Sequence, residues 1–209
     1  MRAWIYDTAF APLTRGWYRA VLERIEPGSQ LLDVGIGTGA ALAANAELVI
    51  ARDLSVVGLD VDEHYLAQCR RRLEKHRLAG RVKLLHQPVE EHVGGPYDAV
   101  YFSASFMLLP HPGIALEQVR GQLAPHGKVF FTQTFESERS KLLEQVKPLL
   151  RHVTTIEFGR VTYRDDFERV LSGGGMEVVH EEQLNGGRKR HARLVVAKPA
   201  EHLPESAVG

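Results

Sequence analysis

Seven short apolar runs punctuate this chain, and the spacing between them leaves few folds open. They are QLLDVG, VVGLDV, KLLHQP, YDAVYFSA, KVFFTQTF, MEVVHEE and ARLVVAK, and most of the gaps between them are long enough for a helix. Strand-length runs alternating with helix-length gaps build a mainly parallel sheet with helices on both faces. The last gap breaks the pattern. Between MEVVHEEQL and HARLVVAK only NGGRKR intervenes, too short for a right-handed parallel crossover, so these two runs form an antiparallel hairpin.

The helices are legible in the gaps. Residues 13–25, LTRGWYRAVLERI, carry Leu13, Trp17, Val21, Leu22 and Ile25 as a stripe that packs on a sheet, and EPGSQ ends it. DEHYLAQCRRRLEKH follows the second run, GIALEQVRGQL the fourth, and RDDFERVL precedes the sixth. With 209 residues the chain suits one domain, expected over residues 1–200. Within it we expect an N-terminal lid and helix (1–26), a cofactor-binding half (27–135) and a C-terminal, substrate-side half (136–200), with residues 201–209 a disordered tail.

Composition removes several functions. Lys plus Arg and Asp plus Glu balance at 26 each, so no global field draws the chain to nucleic acid or to an anionic membrane. Cys69 is the single cysteine, which excludes an intramolecular disulfide and a cysteine-cluster metal site and agrees with a reducing, cytoplasmic setting. The first 25 residues have no signal-peptide apolar core. The stretch most like a membrane span, residues 31–51, holds Asp33, Asn45, Glu47 and three glycines, so no transmembrane segment is expected. Ten histidines lie without metal-ligand spacing, and no metal is expected.

The chemistry concentrates in LLDVGIGTGAAL, residues 31–42, where Asp33 precedes Gly35, Gly37 and Gly39. Glycines at a strand-to-helix turn let backbone N–H groups approach a ligand closely. Gly35, Gly37 and Ala40 also satisfy the dinucleotide pattern, with Asp60 where a ribose-binding acid belongs. A nicotinamide-dependent oxidoreductase is therefore a rival reading. Asp33 argues against it, because a buried carboxylate beside the turn repels a pyrophosphate and attracts a cation. S-adenosylmethionine has no phosphate and carries an ammonium and a sulfonium.

On these residues the chain resembles a class I S-adenosylmethionine-dependent methyltransferase, similar to the quinone and phospholipid type. The likeness rests on the glycine loop, on VVGLDVDEHYLAQCRRRL, on GGPYDAVYFSASFMLLPHP and on LAPHGKVFFTQTF. It implies an α/β, Rossmann-like sheet of seven strands ordered 3-2-1-4-5-7-6, with strand seven antiparallel. It also implies methyl transfer to a small-molecule acceptor through an N, O, S or C nucleophile, leaving S-adenosylhomocysteine. Gly35, Gly37 and Gly39 would lie against the methionine part, organised by Asp33; Asp60 would accept from both ribose hydroxyls, and Val61 would flank the adenine. The family's adenine-reading acid falls at Pro88 here, which turns attention to the backbone of Val89 or the side chain of Glu90. Ser103 matches a position whose carbonyl meets the ammonium. A methyltransferase-like module without turnover is a further alternative.

Methyl transfer is an in-line displacement, so positioning and exclusion of water dominate and a base is optional. WIYDTAF, with Trp4, Tyr6 and Phe10, is the candidate lid, and a YD opening resembles small methyltransferases in which this segment covers the cofactor. Tyr6 is the first candidate catalytic residue. His111, after the fourth strand, is the second, as base or acceptor orienter. Trp4, Phe106, Met107 and Tyr163 are candidate walls for the acceptor, and His86 is taken as structural. Arg188, Lys189, Arg190 and Arg193 in GGRKRHAR make a charged edge, with an anionic substrate or peripheral contact with a membrane headgroup as the functional reading.

Overall fold

A computed structural model describes residues 13–136, 162–187 and 190–201. Seven strands form one sheet: β1 (Gln30–Val34), β2 (Ser55–Asp60), β3 (Val82–His86), β4 (Tyr97–Ser103), β5 (Leu123–Glu136), β6 (Met176–Gly186) and β7 (Arg190–Pro199). Their order is β3-β2-β1-β4-β5-β7-β6. The first five are parallel neighbours, and β7 runs antiparallel to both β5 and β6. Both the expected order and the hairpin are present. The fifth strand starts earlier than its apolar run suggests. Leu123 pairs with Tyr97 and Lys128 with Ala99, so the APHG turn is absorbed into β5 as a bulge.

Around the sheet lie α1 (residues 13–22), α2 (Ala40–Ala43), α3 (Ala46–Ala51), α4 (Glu63–Lys75), α5 (Pro112–Arg120) and α6 (Arg164–Gly173). Asn45 separates α2 from α3, its side-chain amide donating to the Ala41 carbonyl at 2.8 Å and the Arg15 carbonyl at 3.1 Å. Asp62 caps α4 by accepting from the His64 and Tyr65 amides.

Alternate strand residues feed two cores. Leu31, Val56, Tyr101 and Phe130 pack with Tyr18, Val21 and Leu22 of α1 and Leu66, Cys69 and Leu73 of α4. On the opposite face Leu32, Val34, Val100, Phe102 and Phe131 meet Leu116 and Val119 of α5 and Phe167 and Leu171 of α6. Central strands buried on both faces are the mark of a parallel sheet.

Phe106 belongs to this second core. It is 1% exposed, and its ring lies against Phe102, Phe131 and Phe167 at centroid distances of 5.2, 4.9 and 5.8 Å. The aromatic cluster claims a side chain that the sequence offered as an acceptor wall. Phe106→Ala is expected to cost about 3–5 kcal/mol in urea denaturation, the usual range for emptying a buried phenyl site.

Candidate functional site

The parallel strands end together on one edge, and there β1 turns into α2 through the glycine loop. Gly35, Gly37 and Gly39 have φ of 80°, 60° and 67°. Two of them are also sterically required. A Cβ on Gly39 would overlap the Cys69 sulfur, and one on Gly35 would stand 3.0 Å from the Ser105 Cβ. The Gly35 and Ile36 amides donate to the Leu59 carbonyl at 2.9 and 3.0 Å, and the Arg72 guanidinium donates to the Thr38 carbonyl at 2.9 Å. The loop is thus held by β2 and α4.

A cleft opens over this loop, lined by Thr14 and Tyr18 of α1, by Gly35 through Thr38, by Ala40 and Ala41, by Tyr65 of α4 and by Ser103 at the end of β4. Beneath it sits Asp33, 0% exposed. The Tyr18 hydroxyl donates to its two carboxylate oxygens at 3.2 and 3.0 Å. Burial pushes the Asp33 carboxyl up to about 7; the Tyr18 hydrogen bond opposes the shift and the nearby Asp60 charge adds to it. Burial, together with the Asp33 charge, also raises the Tyr18 phenol well above its ordinary value.

The elevated carboxyl predicts how stability varies with pH. Between about 4 and about 7 the folded chain holds a proton on Asp33 that the unfolded chain releases. This group therefore lowers stability as pH rises through that window, and the loss levels off above about 7. The difference in unfolding free energy between the native chain and Asp33→Asn should fall by a few kcal/mol from acid to neutral pH, as read by urea titrations across the window.

Asp60 ends β2 beside the loop. One carboxylate oxygen accepts from the Gly37 amide at 2.8 Å and the other from the Asp62 amide at 2.9 Å. Next to it Val61 is 67% exposed, an unusual setting for a branched apolar side chain. The His86 Nε2–H donates to the Val61 carbonyl at 3.0 Å, which pins this exposed residue from β3. Pro88 leads into a 3₁₀ turn, Val89–Glu91, in which Val89 is buried and Glu90 is half-buried.

Across the cleft, β4 ends in a strained link. Ala104 has φ of 55°, and its amide donates to the Thr132 carbonyl at 2.8 Å. The turn lets the Ser105 hydroxyl donate to the Val34 carbonyl at 2.7 Å and lays that side chain on Gly35.

Of the expected site residues, Gly35, Gly37 and Ser103 line the cleft, while Asp33 and Asp60 stand behind it, bonded to its lining residues Tyr18 and Gly37. His111 is exposed at the N-cap of α5, Met107 is half-buried against the aromatic core, and Tyr163 precedes α6. These three are not among the residues lining the cleft. Trp4, Tyr6, Phe10, Arg188, Lys189 and residues 202–209 lie outside the described residues. Sequence reasoning missed Thr14, Tyr18, Tyr65, Arg72 and Ser105. For Tyr18 a signal existed: it stands three and four positions before Val21 and Leu22, on the buried side of α1. Among the described residues no cluster of three His, Cys, Asp or Glu side chains gathers to hold a metal, and no helix is long and apolar enough to cross a membrane.

The arrangement suits a ligand that is cationic at one end and carries a diol. Among the described residues the buried Asp33 has only a neutral phenol as donor, and each Asp60 oxygen accepts one amide, leaving lone pairs on both. Comparison with known proteins gives a family match, a partial relative and a shared fold. Residues 31–127 match the model of a family described as a methyltransferase domain. A protein-L-isoaspartate O-methyltransferase 2 from Polaromonas sp. is 33% identical over 116 residues, covering 54% of this chain and 52% of its own length. The chain thus spans about half the length of that curated relative. A SAM-dependent methyltransferase from Geobacter sulfurreducens, solved in complex with S-adenosyl-L-homocysteine, superposes with a TM-score of 0.66 at 13% identity over 88% of this chain and 90% of that one. The [4+2]-cyclase SpnF superposes with a TM-score of 0.68 at 18% identity over 93% and 84%. At such identities the two solved structures speak to the fold alone.

Proposed function

We propose, from the premise that this chain carries a class I S-adenosylmethionine-dependent methyltransferase domain, that the cleft over the glycine loop binds S-adenosylmethionine and that the protein passes its methyl group to a small-molecule acceptor. The observation that carries this reading is the buried Asp33 behind the cleft, a carboxyl whose ionised form has no cation paired to it among the described residues. A diphosphate placed there would meet a like charge in a low-dielectric setting, whereas an ammonium or sulfonium gains from it.

The residues divide the cofactor between them. Asp60 takes the ribose hydroxyls on the lone pairs left by the Gly37 and Asp62 amides, and Val61 offers its exposed face to the adenine. The backbone of Val89 or the side chain of Glu90 reads the adenine edge from the turn after β3. The loop from Gly35 to Gly39 lies against the methionine part, and the Ser103 carbonyl receives its ammonium. When bound, S-adenosylmethionine supplies a methyl group on a positively charged sulfur. The chain's own task is to align the acceptor with that carbon and keep water out. Trp4, Tyr6, Met107, His111 and Tyr163 are the acceptor-side residues in this reading, with His111 or Tyr6 available to take a proton from an alcohol or phenol.

The isoaspartyl relative favours a second acceptor, a peptide carboxylate. A screen for S-adenosylhomocysteine release tests both readings, with quinols, phenols, thiols, amine headgroups and an isoaspartyl peptide as acceptors. Release with a small molecule and none with the peptide supports the first reading, and the reverse supports the second. Cofactor binding without release to any acceptor would point to a module lacking turnover.

A further inference from the structure

Asp33 is fully buried, and among the described residues its two oxygens share one neutral donor, the Tyr18 hydroxyl. Among the described residues, the groups that face it do not neutralise it. From β2 comes Asp60, a second carboxylate; from β4 comes Tyr101, whose hydroxyl is bonded to the Thr132 hydroxyl at 2.8 Å. From α4 comes the Cys69 thiol, pushed up to about 12 by burial and by Asp33, with Arg70 and Arg72 acting on it from farther along that helix. Arg72 is engaged with the Thr38 carbonyl. A cleft with this floor carries excess negative charge when Asp33 is ionised, and a charged ligand is its available counter-ion.

We infer that the Asp33–Tyr18 pair makes the cleft discriminate by ligand charge, favouring the sulfonium-bearing methyl donor over the neutral thioether left after transfer. This inference rests on the cofactor reading above. The two ligands share the adenosine and the zwitterionic amino-acid end, and they differ by one methyl group and one positive charge on sulfur. Beside a fully buried carboxylate that charge is felt over several ångströms, so an ionised Asp33 holds the donor and releases the product. A protonated Asp33 makes no such distinction. Because burial pushes this carboxyl up to about 7, its two forms interconvert around neutral pH. Raising the pH ionises Asp33 and widens the preference; lowering it removes the preference. Tyr18 acts as a positioning residue, since its hydrogen bond opposes the burial-driven rise of the Asp33 carboxyl.

The test is isothermal titration of the full chain with S-adenosylmethionine and with S-adenosylhomocysteine from about pH 6 to about pH 8.5. The ratio of product Kd to donor Kd should rise roughly threefold or more across this range, level out at high pH, and stay flat in Asp33→Asn. Tyr18→Phe should move the rise to higher pH, a displacement that loss of packing alone would not produce. If Asp33→Asn does not fold, the native profile and that of Tyr18→Phe decide the matter. Tight binding of both ligands with a pH-independent ratio overturns this inference and leaves the cofactor reading standing. Failure of both ligands to bind overturns the two together.

Discussion

Asp60→Ala is expected to weaken S-adenosylhomocysteine binding by about 1–3 kcal/mol, roughly 5- to 150-fold. The upper end is favoured because two losses combine. The ribose hydroxyls lose a charged acceptor, and the Gly37 amide loses the partner that holds it at 2.8 Å, so the loop must be reordered at the cost of binding. Asp60→Asn should fall between, since an amide keeps one accepting oxygen and presents donors where an acceptor is needed. Calorimetric titration of the three proteins checks this. Equal affinities would remove Asp60 from the ribose role and leave it as a turn-former for Gly37 and Asp62.

Gly39→Ala is expected to destabilise the fold by roughly 2–5 kcal/mol. Part of this is the left-handed backbone at φ of 67°, which alanine tolerates poorly. The rest is overlap of the new methyl with the Cys69 sulfur, which is itself buried and has little room to retreat. Combining Gly39→Ala with Cys69→Ala separates the two contributions. The double variant should recover the steric part and keep the backbone part, an interaction that urea denaturation of the four proteins measures directly. Additive costs would mean that the loop relaxes away from α4.

The features of this fold and site that are legible in the sequence are those set by local pattern. Strand-length runs, the short NGGRKR connection and the glycines at a strand end are written in consecutive residues, and the sheet order and antiparallel hairpin follow from them with the family likeness. What was not legible depends on contacts between distant residues. Tyr18 reaches Asp33 only after α1 has folded over β1, and no spacing rule foretells that bond. Asp60 was assigned to a ligand, yet its nearest protein partner is an amide 23 residues earlier. Phe106 occupies a loop position suited to substrate contact, but three other phenylalanines converge on it from β4, β5 and α6. Ala104 gives no hint in its identity that it holds a left-handed turn, because that conformation is imposed by the Thr132 and Val34 carbonyls on either side.

One physical claim underlies the functional reading: the buried carboxylate under the glycine loop makes the cleft a host for a cationic amino-acid group and not for a diphosphate. Calorimetric titration of the full chain with S-adenosylhomocysteine and, separately, with NADH tests it most directly. Stoichiometric binding of S-adenosylhomocysteine and no heat from NADH over the same concentrations are expected. Saturable binding of NADH with none of S-adenosylhomocysteine would contradict it.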